Sequence, residues 1–547
     1  MRRPVVVDST KEYTLRRDIR TDWLVIVLLA LLLVAFGIYV GIGIFVPNKA
    51  DLAPILSISL FLVLAIPIAI WHYPQMGVYL IIFCACVFVQ SPKEAEPDPL
   101  TLVPVFWNVS TIGYNYLNTQ ALGSIQFNMG EAIIVVTMGS WGIQQIMRRK
   151  LHIHKGLFFP WLTAYMVIAF LGGVNGMSSG GDHTFVLWEL RAQVYFYLAY
   201  LMGTNLFEDR EAMMKVLWAM TIGIALKSII GTRNFIINPN VTADEGVLRH
   251  EDSLLMNMVV LGALLMGIGG MDARLRRTML LFVPTCVTTV LANGRRASIA
   301  ALLLAMPITM VMCATMMQEK RKKLMTIMGV LGFVMAIYTP IAWNGKGVWA
   351  LPARAIRSQF DPSDRDASSD YYRLAENANL KYTRDLNPWI GYGYGKEYIT
   401  IYEQYGRTDV FARILPHNGV LWIWMRLGHP GFFCFWMFFA SVMVWGPNML
   451  KKVKDPKLQI IGIYGIGAFL MLVMYGKYDL AFANYRAMIL VGMLLGLCAS
   501  VPRIDELQEK ARLDEIEANT FRTPVATPEE ISRHEEGAEE WRKRTQW

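Results

Sequence analysis

The segment Pro416-His417-Asn418-Gly419-Val420-Leu421-Trp422-Ile423-Trp424 marks the point where a polar stretch of the chain becomes strongly apolar. Residues 344–416, which precede the apolar part, are rich in polar side chains and include ten lysines and arginines. The residues that follow are apolar over roughly the 20 positions that a membrane-crossing helix needs. We therefore expect His417 to lie at a membrane surface, between a basic, water-exposed loop and a membrane-spanning helix.

The same kind of apolar run recurs along the whole chain. The sequence has 547 residues, of which 54% are hydrophobic, and a mean hydropathy of +0.36. A soluble protein of this length does not need so large an apolar fraction. Between Trp23 and Ser500 the runs are long enough to cross about 30 Å of hydrocarbon as helices. The sequence predicts an all-α, polytopic integral membrane bundle of about 12–14 transmembrane helices with one large outer loop.

The net charge of +9 is distributed in a way that disfavours nucleic-acid binding. Basic residues cluster in short loops on one predicted side: Arg16-Arg17, Arg148-Arg149-Lys150, Arg274 to Arg277, Lys320 to Lys323, and Lys451-Lys452 with Lys454. Such clusters are typical of cytoplasmic loops that face anionic lipid. The six cysteines all fall within apolar runs, a placement that disfavours a disulfide framework or a zinc site.

These basic loops predict a topology with both termini in the cytoplasm. The candidate spans are 23–46, 53–71, 76–90, 128–147, 157–175, 184–206, 213–232, 253–270, 278–293, 297–317, 324–343, 417–445, 458–475 and 482–500. The predicted organisation is a cytoplasmic tail (1–22), a membrane bundle (23–343), a large outer loop (344–416), C-terminal membrane helices (417–500) and a cytoplasmic, partly disordered tail (501–547).

The first candidate for chemistry is the turn Asn293-Gly294-Arg295-Arg296-Ala297-Ser298, between two predicted spans. Charges at the edge of a membrane are costly and are functional candidates by default. Either Arg295 and Arg296 snorkel to lipid headgroups, or they bind an anion, because guanidinium groups pair bidentately with phosphate oxygens.

The second candidate lies in the large loop. Residues from Tyr371 to Arg384, including Arg373, are expected to form a helix, which ends before Pro388. The segment Gly391-Tyr392-Gly393-Tyr394-Gly395 follows. Its alternating glycines either allow the backbone to approach a ligand closely or only permit tight turns.

The third candidate is His417 with Asn418, followed by Gly428 and Gly431. An imidazole with a pKa near ~6.5 can take a proton from a sugar hydroxyl, although a histidine at a helix start is often structural. The two glycines allow close helix packing. His429 is a poorer candidate because it lies about three turns further into the same span.

Two further pairs of charged residues could have either a structural or a substrate-binding role. Glu189 and Arg191 lie near the outer start of one span, and Asp479 and Arg486 surround the last outer loop.

These elements resemble the O-antigen ligase and polymerase family of bacterial cell-envelope glycosyltransferases. The ligases of that family have a His, then Asn, Ser or Gln, nine residues, a Gly, two residues, and Gly, Thr or Tyr. His417, Asn418, Gly428 and Gly431 match this pattern in full.

Two other family elements occur in the expected order, and the resemblance covers roughly residues 180–445. The family loop has an Arg, a Pro fifteen residues later and then Gly-x-Gly-x-Gly, which corresponds here to Arg373, Pro388, Gly391, Gly393 and Gly395. The usual aromatic residue four positions after the Arg is replaced by Asn377. The family's Ser-Arg-Gly-Ala-like turn is similar to Gly294-Arg295-Arg296-Ala297, where glycine replaces the serine.

The resemblance implies an inverting, metal-independent glycosyl transfer at the outer face of the bacterial inner membrane, with residues 344–416 as a periplasmic catalytic loop. The donor would be a glycan on undecaprenyl diphosphate, and no cofactor is expected. Arg295 and Arg373 would clamp the diphosphate, and His417 would be the general base on the acceptor hydroxyl. The remaining substrate contacts are expected from Arg296, Asn418, Arg191, Gly391, Gly393 and Tyr392.

The resemblance leaves polymerase and ligase open, with a slight preference for a surface or exopolysaccharide system. The acceptor would be a glycan or a lipid, and membrane lipids, a flippase and a chain-length regulator are expected partners. A rival hypothesis is a lipid-linked oligosaccharide flippase or another multi-span transporter. No repeat between the two halves and few mid-span charges argue against it. A scaffold without catalytic activity is a third hypothesis.

Overall fold

The computed structural model describes residues 64–90, 103–111, 126–149, 151–238, 246–345, 347–358, 360–361, 364–403, 413–522 and 541–543. The predicted tail 1–22, the predicted span 23–46 and most of the span 53–71 lie outside these ranges. Within them the structure is helical, and the only β-pairing is an isolated bridge between Asn108 and Asn128.

The helices follow the predicted spans closely. They are α1 Pro74–Val87, α2 Met129–Met147, α3 Phe159–Ser178, α4 His183–Asn205, α5 Arg210–Ile237, α6 Asp252–Gly269, α7 Ala273–Ala292, α8 Arg296–Met316, α9 Arg321–Ala342, α10 Leu351–Arg357, α11 Asp364–Asp385, α12 Gly419–Ala440, α13 Gly446–Leu450, α14 Pro456–Gly476 and α15 Tyr485–Arg522. A π-helical turn, Ser441–Trp445, joins α12 to α13.

Nine of the helices among the described residues are long and apolar enough to cross a membrane. They are α3, α5, α6, α7, α8, α9, α12 with its continuation to Leu450, α14 and α15. The chain is therefore an all-α, polytopic membrane protein, as the sequence predicts. The count of 12–14 spans stays a prediction, because two predicted spans lie mainly outside the described residues and α1, α2 and α4 are shorter or less apolar.

The centre of the bundle is formed by α14 and α15, whose apolar stretches are 94% and 89% buried. Glycines allow these helices to approach their neighbours. A Cβ on Gly496 would lie 2.9 Å from the Cα of Gly203 in α4, so the two backbones touch. By contrast, only 6% of the stretch that contains α9 is buried, which places this helix at the periphery.

Helix α1 ends inside the protein, and its end explains why two charged residues are buried there. Its 14 residues span about 21 Å, less than the ~30 Å of hydrocarbon. Its last carbonyl groups therefore need partners within the bundle. Arg486 donates to Ala85 O at 2.8 Å, and Lys227 donates to Val87 O at 3.2 Å. Both cations pair with the buried Asp252, so Arg486 has a structural role.

The large loop docks onto α12 through a break in that helix. Gly428 has φ +64 and ψ −166, and Pro430 has no N–H to donate to Arg426 O. The loop supplies the missing hydrogen bonds: Gly393 N donates to Arg426 O (3.0 Å), and Tyr392 N donates to Met425 O (2.8 Å). His429 N in turn donates to Pro388 O at 2.7 Å. The glycine-rich loop segment and the glycine kink of α12 are thus two halves of one interlocking contact.

Candidate functional site

A cavity of about 730 Å³ lies where the large loop meets the membrane helices. Its polar wall consists of Arg296, Asp370, Arg373, Glu376, Asn377, His417, Asn418, Lys477 and Tyr478. These residues come from the start of α8, from α11, from the start of α12 and from the turn that follows α14. The remaining wall is apolar and is formed mainly by α8 and α10.

His417 is held in this cavity by a buried carboxylate. Glu376 is 1% exposed; its Oε1 lies 3.2 Å from His417 Nδ1, and its Oε2 accepts the backbone N–H of His417 at 2.9 Å. The ring of Tyr372 packs edge-on against the imidazole, with centroids 5.6 Å apart. Because a carboxylate accepts, Nδ1 carries the proton in the neutral ring, and Nε2 remains as the proton acceptor.

Asn418 anchors the start of α12 and connects it to the loop helix. Its Oδ1 accepts the N–H of Leu421 at 3.0 Å, which caps α12. Its Nδ2 donates to Asn377 Oδ1 at 2.9 Å. Asn377 is the residue that departs from the family pattern, and in this chain it forms an amide pair with Asn418.

Arg373 stands on the same face of α11 as the residues that contact His417 and Asn418. The spacing from Asp370 to Arg373 and on to Glu376 is three residues each, so successive turns of one helix face the cavity. No hydrogen bond or ion pair joins the guanidinium of Arg373 to another residue in the described part of the chain. The residue lines the cavity together with Asp370 and Glu376.

Of the two adjacent arginines, Arg296 is the one that lines the cavity. Its Nη1 donates to Ser358 Oγ at 3.0 Å, and its Nη2 lies 3.4 Å from Asp370 Oδ1. The contact with Asp370 links α8 to the end of α11 that lies away from His417.

Arg295 faces another group of residues, behind the cavity. It donates to Nε2 of His250, whose Nδ1 lies 3.8 Å from Asp479 Oδ2. Asp479 also accepts the hydroxyl of Tyr475 at 2.9 Å. Burial lowers the pKa of His250 to about 4; Asp479 opposes this shift and Arg295 adds to it. His250 is thus neutral at neutral pH and can accept from Arg295.

The structure does not bring the other predicted contacts to the cavity. Arg191 forms an ion pair with Glu131 at 2.8 Å and donates to Asn108 Oδ1 at 2.8 Å. Gly391, Tyr392 and Gly393 form the contact with the α12 kink. The cavity is lined by His417, Arg373, Arg296 and Asn418, but not by Arg295, Arg191, Gly391, Tyr392 or Gly393.

Glu189 is part of the framework that holds the loop. Its Oε1 accepts from Arg426 Nε and from Trp422 Nε1, both at 2.8 Å, and its Oε2 accepts from Gly395 N. Glu189 and Arg426 are both fully buried. This group connects α4, α12 and the last glycine of the loop motif.

The sequence interpretation missed four residues of this region: Glu376, Asp370, Lys477 and His250. Glu376 could have been found from its spacing, because it follows Arg373 by one helical turn and therefore shares its face. Lys477 and His250 belong to no motif and are brought in only by the packing of distant helices.

Comparison with known families gives one match, which contains all three sequence elements. Residues 280–436 match the family model described as O-antigen ligase. No curated protein matches the chain. The matched segment begins in α7, includes the arginine turn, α11 and the glycine motif, and ends in α12. The likeness of this chain to the O-antigen ligase family therefore rests on residues 280–436.

Proposed function

We propose that this protein transfers or polymerises an undecaprenyl-diphosphate-linked glycan at the periplasmic face of the bacterial inner membrane. The observation that carries the proposal is the placement of Arg373 one helical turn from Glu376, the carboxylate that orients His417. A guanidinium group and an imidazole thus share one cavity, which supports the roles of anion binding and proton transfer.

Arg373 and Arg296 would bind the diphosphate of the donor. Arg373 has no partner among the described residues, and Arg296 exchanges its long contact with Asp370 for a phosphate oxygen. Guanidinium groups stabilise the charge that develops on the diphosphate as it leaves. In this proposal Arg296 takes the contact that the resemblance implies for Arg295, while Arg295 is held by His250 next to the cavity.

His417 would act as the general base. The acceptor hydroxyl gives its proton to Nε2, the acceptor oxygen forms a bond to the anomeric carbon, and the bond from that carbon to the diphosphate oxygen breaks. The diphosphate leaves with the electron pair, and the single displacement inverts the anomeric centre. Glu376 keeps the imidazole in the required tautomer and offsets its positive charge. No step of this proposal uses a metal or a cofactor.

The apolar wall of the cavity suits a lipid-linked donor. Ile299, Leu303 and Leu304 continue down α8 from Arg296 into the membrane-spanning part of that helix. Leu304 is 49% exposed, so this face opens laterally. The prenyl chain would lie along it while the diphosphate stays at the arginines.

A periplasmic reaction requires one orientation of the chain in the membrane. Residues 344–416 would be the periplasmic catalytic loop, with the segments 1–22 and 501–547 in the cytoplasm and 23–343 and 417–500 in the membrane. A flippase and a chain-length regulator would supply the donor and set the product length.

The test uses purified full-length protein in lipid nanodiscs with an undecaprenyl-diphosphate oligosaccharide of the native repeat. A product ladder without another acceptor identifies a polymerase, and transfer only after addition of a lipid or glycan acceptor identifies a ligase. His417→Ala and Arg373→Ala should abolish either product. Arg384→Gln is the matched control on α11, because Arg384 packs on Trp424 outside the cavity. Absence of transfer with an intact donor would contradict the proposal and favour a transporter.

A further inference from the structure

Lys477 and Tyr478 complete the cavity from outside the segment that matches the family. They follow α14 directly, whereas the match ends at residue 436. Both residues line the cavity. The ring of Tyr478 is 38% exposed, and Lys477 Nζ lies 5.4 Å from the ring centroid. An accessible aromatic face beside a cation is thus added to the catalytic groups.

The carboxylates near Lys477 are committed to other partners. Asp370 contacts Arg296, and Glu376 holds His417. Asp479, two residues after Lys477, points inward to Tyr475 and His250. Within the described ranges, no carboxylate forms an ion pair with Lys477, so its charge is not neutralised by these groups.

Packing places Lys477 on the side of the cavity that carries His417. Gly419, two residues after His417, lies against the end of α14: a Cβ there would be 2.9 Å from Gly476 O. Of the two arginines proposed to bind the diphosphate, Arg296 lies farther from His417, because it contacts Asp370, about 10 Å along α11 from Asn377. In a displacement at the anomeric carbon, the leaving group and the acceptor lie on opposite sides. The base side, with Lys477, is therefore the acceptor side.

We propose that Lys477 and Tyr478 form the acceptor subsite and that the acceptor carries an acidic sugar next to the hydroxyl that is glycosylated. Lys477 pairs with the acid group, and the Tyr478 ring packs against the apolar face of the sugar. This inference rests on the proposed function and specifies its acceptor.

The experiment compares acceptor use with donor binding in nanodiscs that contain the full chain. Lys477→Gln should raise the KM for the acceptor glycan about tenfold or more, since a charge-assisted hydrogen bond is lost. Its Kd for undecaprenyl diphosphate should stay within about twofold. Lys477→Arg and Tyr478→Phe keep the charge and the ring and should retain most activity, whereas Tyr478→Leu should not. Lys454→Gln is the control, because Lys454 pairs with Glu509 beyond the other end of α14.

Three results would overturn the inference while leaving the proposed function intact. One is an equal loss of undecaprenyl diphosphate binding in Lys477→Gln and Arg373→Gln, which would place Lys477 in the donor site. Another is unchanged transfer in Lys477→Gln. The third is a purified glycan product, dependent on His417, that contains no acidic sugar. If the wild-type protein makes no product at all, the proposed function fails and this inference fails with it.

Discussion

Glu376 holds His417 through two separate contacts, one to the backbone N–H at 2.9 Å and one to the ring Nδ1 at 3.2 Å. The carboxylate therefore fixes both the position of the residue and the direction of its ring. Only Nε2 remains to accept a proton in the cavity. This arrangement assigns Glu376 a positioning role that can be separated from simple structural support.

Glu376→Gln is expected to lower kcat by about 10²–10⁴-fold with little change in the KM for the donor. The glutamine amide can still accept from the His417 backbone, but its NH₂ group then faces Nδ1. The imidazole would have to accept there, which places its proton on Nε2 and removes the base. Steady-state transfer kinetics and the thermal midpoint of the variant check this together. A Gln variant with nearly wild-type kcat, or one that simply unfolds, would contradict the positioning role.

Asp370→Asn is expected to tighten the binding of undecaprenyl diphosphate by up to about fivefold, because the half-exposed pair with Arg296 contributes little on its own. Removal of the carboxylate takes away one anionic competitor for the guanidinium of Arg296. Arg296→Gln should weaken binding about tenfold or more, since charged hydrogen bonds are lost. Both dissociation constants can be measured in nanodiscs at fixed salt. Weaker binding in Asp370→Asn would show instead that this residue supports the donor site.

The arginine turn shows where the sequence alone stops being informative. Arg295 is the residue before α8, and Arg296 is its first residue, so the direction of each side chain depends on the turn geometry. A motif that contains both arginines cannot decide which one enters the cavity. By contrast, the position of His417 at the membrane boundary and of Arg373 on a loop helix could be expected from the sequence, because their motifs lie at a loop-to-span boundary and on a helix face.

Long-range packing accounts for most of what sequence reasoning missed. Lys477 reaches the cavity because Gly419 and Gly476 let α12 touch α14. The sequence alone could not decide between a structural and a substrate-binding role for Arg486. Its partners, the last carbonyl groups of α1, are about 400 residues away in the chain. The apolar runs, which need no such information, predicted the described helices well.

Acid should destabilise the protein through His250. The pKa of this residue is about 4 in the folded state and ~6.5 in the unfolded chain, so the unfolded state binds more protons between these values. Stability should therefore be unaffected by His250 above pH ~6.5 and should fall as the pH drops towards about 4. The charged and titratable groups that face the ring are Arg295, Asp479, His417 and Arg249.

When the pH falls from ~6.5 towards about 4, the His250→Gln variant should lose less folding stability than the wild type. Glutamine can still accept a hydrogen bond from Arg295, but it does not titrate. The His250 side chain is 39% exposed, so solvent screening reduces the effect of its titration on stability. Thermal midpoints at pH 7 and pH 5 for both proteins provide the comparison. The lowered pKa of Asp479 acts only in stronger acid, below the ordinary range of a carboxyl group, and does not interfere. Parallel midpoints for the two proteins would exclude this role of His250.

Gly391→Ala is expected to destabilise the protein by at least about 2 kcal/mol. Gly391 has φ +87, and a Cβ at this position would collide with Arg426 O in the α12 kink. The new methyl group would therefore push the loop away from the helix, loosening α11 and with it Glu376. The thermal midpoint of the variant should therefore be lower than that of the wild type, whereas its KM for the donor should not change specifically.

Gly329→Ala is the matched control, because Gly329 lies within α9 and a Cβ there meets no atom within 4 Å. That change should be neutral or stabilising by up to about 1 kcal/mol. If Gly391→Ala instead kept the wild-type midpoint and only raised the KM for the donor, the glycine segment would be a ligand-binding element, as the sequence alone allows. A lowered midpoint with kcat and KM retained at low temperature would establish it as the contact that fixes the large loop to the membrane helices.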